Sequence, residues 1–208
     1  MADSVRTPAT AWQEMVLGNE RFVRGEPAHP RQDVERRTEI ALGQTPDAAL
    51  FGCSDSRLSA EIIFDKGLGD LFVVRNAGQI ISDSVVGSLE YAVSVLGVPL
   101  IVVLGHDSCG AVQAAMESVL PDATPLPPHI ANLVSKIVPA VRRASVIANG
   151  APDPHDVGRE HLRDTIAELI ASSELISAAI AAGTLAVVGA NYRLLEGTAI
   201  QDVHVGNL

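Results

Sequence analysis

Lysine is almost missing from this chain: among 208 residues only Lys66 and Lys136 occur, and the formal net charge is −10. Nucleic acid and anionic lipid select for exposed cationic side chains, so this balance argues against a polyanion-binding role. Cysteine is just as scarce. Two thiols, Cys53 and Cys109, cannot form a disulfide framework, and the amino terminus has no basic stretch leading into an apolar core, so the expected setting is the reducing cytoplasm. No apolar run reaches the ~20 residues that span a bilayer, which predicts no membrane segment. Aromatics make up 3% of the sequence, so the core must be largely aliphatic, as suits buried parallel strands and the helices that cover them.

The length suits one domain, read as 1–208, with an N-terminal arm at 1–30 and a core at 31–208. In the arm, Thr7-Pro8 has the form of an N-cap followed by proline at the first helical position, and Trp12, Met15, Val16, Phe22 and Val23 recur near helical spacing. That apolar face can dock on its own domain or on a neighbouring subunit.

Further along, Gln32 to Leu42 and Ser59 to Phe64 predict short helices. Ala48 to Phe51, Leu71 to Val74, Pro99 to Leu104 and Leu185 to Val188 predict buried strands. Between them, Val85 to Leu96 traces a helical stripe that stops at Gly97, and a further helix starts near Ala111. Ile130 to Val141 predicts a helix kinked at Pro139, and Leu162 to Ile180 a long one capped by Gly183. Tyr192 to Leu195 and Ala199 to Val203 predict a hairpin at the sheet edge. The alternation of strand and helix predicts an α/β fold with a mostly parallel central sheet flanked by helices, plus the helical arm and the edge hairpin.

Two short polar stretches end apolar runs. One is Cys53-Ser54-Asp55-Ser56-Arg57 and the other is His106-Asp107-Ser108-Cys109-Gly110. Both fall at carboxyl ends of expected strands, where open α/β sheets bind ligands. Two thiolates and one imidazole are ligands that zinc favours, and three protein ligands leave the open fourth position of a catalytic site. Each residue alone has an ordinary alternative: a buried cysteine that only packs, a histidine satisfied by a carbonyl, an aspartate paired with arginine to steady a loop. Their conjunction points to one zinc ion per chain. Two thiolates cancel the charge of that ion, so water at such a site is less acidic than the pKa of ~7 reached with three histidines. Asp55 is placed to accept the proton of that water or its hydrogen bond, with Arg57 fixing the carboxylate.

The paired motifs resemble the β-class carbonic anhydrases, of the bacterial, actinobacterial type. The likeness runs from Gly18-Asn19-Glu20-Arg21-Phe22 through Val73-Val74-Arg75-Asn76 and Glu90-Tyr91-Ala92 to Gly105-His106. It implies Cys53, His106 and Cys109 as zinc ligands, Asp55 and Arg57 as a catalytic dyad, and reversible hydration of carbon dioxide to bicarbonate and a proton by a hydroxide generated at the metal. It further implies Gln44, Phe72, Ala77 and Tyr91 as substrate-pocket residues. Of these, Gln44, Phe72 and Tyr91 serve the partner subunit's site in a homodimer or homotetramer. Some members of the family have a closed form in which the aspartate displaces water as the fourth metal ligand and its arginine pair breaks, and the resemblance implies that Asp55 could do the same here. Members with a separate regulatory bicarbonate site carry Trp three residues before the first cysteine, where this chain has Leu50.

Two other readings use the same residues: a carbon disulfide or carbonyl sulfide hydrolase, and a non-catalytic zinc or dithiol sensor without an open coordination position. Gly67-Leu68-Gly69 lacks the third glycine of a dinucleotide loop, and Ser108 lacks the nucleophile-elbow spacing. His29, His129, His155, His161 and His204 have no partner at metal spacing and are expected on the surface or in loops. Arg142-Arg143 is expected to be a solvated helix face.

Overall fold

The computed structural model describes residues 6–208, and the first five positions of the expected arm lie outside the described residues. Helix α1, Pro8–Arg24, begins with a reciprocal cap in which Thr7 Oγ1 accepts the Thr10 N–H while Thr10 Oγ1 accepts that of Thr7. It ends at Gly25, whose φ of 71° only glycine adopts without strain. Its buried face, Ala11, Trp12 and Met15, packs on the chain's own sheet. The Trp12 indole N–H donates to Gln201 Oε1 at 2.8 Å. Helix and core approach so closely that a Cβ on Gly18 would sit 1.9 Å from the Phe64 carbonyl oxygen. The arm therefore docks on its own core, where Trp12 and Met15 each contribute roughly 1.5–3 kcal/mol by burial.

Helix α2, Val34–Glu39, runs into a 3-10 turn at Ile40–Leu42. Then follow β1 Ala48–Cys53, α3 Ala60–Ile63, β2 Leu71–Asn76, α4 Asp83–Ser94, β3 Leu100–His106, α5 Gly110–Ser118, α6 Pro128–Ser135, α7 Val138–Ala148, α8 Pro154–Ser172, α9 Glu174–Ala181, β4 Ala186–Arg193 and β5 Thr198–Val205. The sheet order is β2-β1-β3-β4-β5, parallel except for β5, which runs antiparallel to β4.

Strand side chains alternate between faces. Ala48, Leu50, Leu100, Val102, Leu104, Ala186 and Val188 face α1 and α3, while Ala49, Phe51, Ile101, Val103 and Val187 face α4, α8 and α9. A third apolar cluster, drawn from α5 to α8, lies beyond the carboxyl ends of the strands and includes Val112, Ile137, Val141 and Val157.

Four expectations change. Pro139 does not kink one helix; α6 and α7 are separate, broken at Lys136 and Ile137, with Pro139 in the first turn of α7, where its missing N–H costs nothing. The long helix to Ile180 is two, because Ser173 adopts an extended backbone (φ −134°) and caps α9 by accepting the Ile176 N–H. The Ser173 hydroxyl meanwhile donates to Glu90 on α4. The hairpin's first arm is the continuation of β4 rather than a separate strand, with Leu195 exposed in the turn. His161 is buried on α8, not on the surface.

Candidate metal centre

The chain leaves β1 for β2 on one side and returns through α4 to β3 on the other, so the order of strands switches between β1 and β3. Such a switch point opens a crevice at the strands' carboxyl ends. Gly52 is in register with Leu104, which sets Cys53 at the end of β1 beside Gly105 and His106 at the end of β3. Cys109 follows as the residue preceding α5. All three are buried, and one ligand atom from each lies within 4.8 Å of the others, the only such group of His, Cys, Asp and Glu among the described residues. Zinc bonded at ~2.3 Å to sulfur and ~2.0 Å to nitrogen needs tetrahedral ligand atoms roughly 3.5–3.8 Å apart, which this spacing accommodates.

The hydrogen bonds select the right imidazole atom. His106 Nδ1 lies 2.7 Å from the Asp107 carbonyl oxygen, and a carbonyl only accepts, so Nδ1 carries the proton. Nε2 is then a lone pair, buried and without any hydrogen-bond partner. A buried acceptor left unsatisfied is costly unless a ligand takes it, and a zinc ion fits. The two sulfurs shift in opposite directions. Cys109 and His106 hold the Cys53 thiol well below the ordinary range, together with the Gly78 N–H, which donates to Cys53 Sγ at 3.4 Å. The neighbouring Cys53 and burial push the Cys109 thiol up, against the pull of the Val112 and Ala111 N–H groups at the start of α5.

Beside Cys53, His106 and Cys109, Asp55 and Arg57 form a two-pronged pair. Arg57 Nε donates to Asp55 Oδ1 at 2.9 Å and Arg57 Nη2 to Oδ2 at 2.7 Å. The Arg57 main-chain N–H adds a bond to Oδ1, and Arg57 Nη2 reaches Ser108 O at 3.2 Å, joining the two motifs. Ser108 has the left-handed φ of 50°. The Arg57 guanidinium keeps the Asp55 carboxyl far below the usual carboxylate range.

Sequence reasoning missed Arg75, which donates to Cys53 O at 2.9 Å and to Asp55 O at 2.7 Å, fixing the main chain on both sides of Ser54. It also missed Gly78. The available signal was a third strand, β2, ending beside β1: Cys53 pairs with Asn76.

The expected pocket residues divide. Ala77 adjoins Gly78 at the metal end. Phe72, in contact with Tyr91 (ring centroids 6.1 Å apart), is at the opposite end of β2, and Gln44 is exposed ahead of β1. Four residues at ~3.3 Å each separate Phe72 from Asn76 by roughly 13 Å. Gln44, Phe72 and Tyr91 therefore do not join the metal centre of their own chain.

A family model described as carbonic anhydrase matches residues 48–199. Carbonic anhydrase 2 of Mycobacterium tuberculosis is 49% identical over 201 residues, covering 97% of this chain and 96% of that one. Among solved structures, a Coccomyxa β-carbonic anhydrase in complex with acetazolamide is similar at a TM-score of 0.69 and 27% identity, covering 79% of this chain and 75% of that one. Tetrameric β-carbonic anhydrases from Sordaria macrospora include one with a TM-score of 0.74 at 23% identity, covering 91% and 96%, a likeness that speaks to fold alone.

Proposed function

The chain belongs to the β-carbonic anhydrase family, and from that membership and the geometry of the centre we propose how its own side chains serve the reversible hydration of carbon dioxide to bicarbonate and a proton. The cofactor is zinc, with Cys53, His106 and Cys109 as its ligands. Bound there, zinc supplies the Lewis acidity that makes a water molecule acidic enough to act as nucleophile.

Arg57 holds the Asp55 carboxyl far below the usual carboxylate range, which makes it a poor store for a proton. We assign it instead as the hydrogen-bond acceptor that orients the attacking water, with Arg57 fixing its two oxygens and Arg75 fixing its main chain. In this chain Asp55 is engaged by Arg57 through three hydrogen bonds. The closed form, with Asp55 on the metal, requires both side-chain bonds from Arg57 to break. Carbon dioxide offers no charge to grip, so small and apolar neighbours such as Ala77 suit it.

The remaining pocket residues implicate a second copy. Strand β2 is a sheet edge, and two-fold pairing of β2 with its copy would run the strands antiparallel, setting one protomer's Phe72 end beside the other's Asn76 end. We infer that Gln44, Phe72 and Tyr91 complete the site of the partner in a homodimer, or in a tetramer built from two. No helix among the described residues is long and apolar enough to cross a membrane. Because both thiol ligands must stay reduced, we place the protein in the cytoplasm.

The observation that carries this reading is the convergence of Cys53, His106 and Cys109 beside a paired Asp55 and Arg57. Stopped-flow CO2 hydration on zinc-loaded protein tests it. The expected rate rises as pH increases above neutrality, since two thiolate ligands place the ionisation of the attacking water above ~7. No rate above buffer under alkaline conditions would overturn it, and sulfide release from carbonyl sulfide in place of hydration would reassign the substrate.

A further inference from the structure

The loop from Asn76 to Ile80 is held under backbone strain. Gly78 and Gln79 both have positive φ, 78° and 43°, and Gln79 is not a glycine. A Cβ on Gly78 would meet Ala111 Cβ at 2.8 Å. Such strain persists only where the surroundings impose it, and it gathers at functional sites. Here the restraints come from two directions. The Asn76 amide closes the loop, with Oδ1 accepting the Ile80 N–H and Nδ2 donating to Ile80 O. From α8, His161 Nε2 lies 2.7 Å from Gly78 O and grips that carbonyl, while the Thr165 hydroxyl donates to His161 O at 2.9 Å and lies 3.4 Å from Gln79 O.

His161 is an unusual choice for a structural peg. Its Nε2 must carry the proton that Gly78 O accepts, which leaves Nδ1 buried and without a partner. Burial also favours its neutral form. What the loop presents in return is the Gly78 N–H, 3.4 Å from Cys53 Sγ. Donation to a ligating thiolate draws electron density from its lone pairs and, by holding the sulfur in position, supports retention of the metal.

We propose that His161 is a positioning residue of the metal centre: its Nε2–H holds the Gly78 carbonyl, which keeps the Gly78 N–H on Cys53 Sγ and thereby sets how strongly that thiolate binds and neutralises the ion. The inference rests on Cys53 being a zinc ligand. It assigns His161 no contact with substrate.

The test uses full-length protein loaded with cobalt for spectroscopy and with zinc for metal retention. In wild type, a thiolate-to-cobalt charge-transfer band is expected; its absence would refute the metal centre itself rather than the role of His161. With that band present, His161→Leu is expected to move it to lower energy and to speed zinc loss to a chelator about 10-fold, on the scale of other outer-shell ligand supports. His161→Gln, which places an amide N–H near the same carbonyl, is expected to restore the band position and zinc retention. A folded leucine variant with unmoved band and retention overturns the proposal, and so does a folded glutamine variant that matches the leucine one. Whether or not either variant folds, 15N NMR of the wild-type zinc protein decides the first link: an Nε2–H tautomer of His161 supports it, and an Nδ1–H tautomer overturns it.

Discussion

Arginine–aspartate pairs occur at both ends of the sheet and do different work. At the amino end, Asp70 takes a two-pronged pair from Arg31 and the Gly67 N–H, while Asp65 takes Arg21 and the N–H groups of Ala28 and His29. Both aspartate side chains are almost fully buried, at 4% and 1% exposure, and their arginines come from 39 and 44 residues away. At the carboxyl end, Asp55 pairs with Arg57 only two residues on, with side chains 17% and 51% exposed. The first two pairs fasten the end of α1 and the segment after it to the turn before β2. The third fastens nothing distant except Ser108 O, and its carboxylate stays accessible beside the metal ligands. Identical chemistry is structural where it closes a long loop in the interior, and where it is local and open it leaves a carboxylate free for the role proposed for Asp55.

The largest effect expected from breaking this contrast is at Asp55. Asp55→Asn should lower CO2 hydration by about 10²-fold, the scale of losing the orientation of the attacking water, while zinc content and thermal midpoint stay at wild-type values, because the pair contributes little to folding. Steady-state hydration rates, metal analysis and a melt on the same sample check all three. Asp70→Asn should behave oppositely, costing about 2–3 kcal/mol in urea unfolding, below the 3–5 kcal/mol of a fully buried pair because Arg31 is half exposed, with turnover per folded molecule preserved.

The smallest effect is on pH dependence. Burial alone would raise Asp65 and Asp70, but the bonds from Ala28, His29 and Arg21 to Asp65, and from Arg31 and Gly67 to Asp70, bring both below the ordinary value of 3.8. Groups depressed on folding stabilise the chain fully above their unfolded pKa, and that stability is lost as pH falls through the lower folded values. The melting temperature should therefore stay level from neutral pH down to about 5 and fall below about 4, less steeply in Asp70→Asn. An equally steep acid limb in that variant would contradict the structural role of the amino-end pairs.

Much of this arrangement was legible in the sequence because the relevant residues sit where apolar runs stop. Cys53, His106 and Cys109 follow Ala48 to Phe51 and Pro99 to Leu104, and the parallel topology brings such ends together. Asp55 and Arg57 are readable for the same reason. The breaks at Lys136–Ile137 and Ser173 were not, since the apolar spacing continues across them and only long-range bonds such as Ser173 to Glu90 reveal the interruption. His161 was misplaced for want of a metal-spaced partner, although it directly precedes Leu162 on the buried stripe of α8. Its partner is a carbonyl 83 residues away. Phe72 and Tyr91 look like core residues in sequence, and their own chain places them at the end of β2 away from Cys53.

The central claim is that one zinc ion is held by two thiolates and one imidazole with a fourth position left to a light ligand. X-ray absorption at the zinc edge of the loaded, full-length protein measures this directly. The account predicts two sulfurs at ~2.3 Å and two nitrogen or oxygen neighbours at ~2.0 Å. Fewer than two sulfurs in that shell would contradict it.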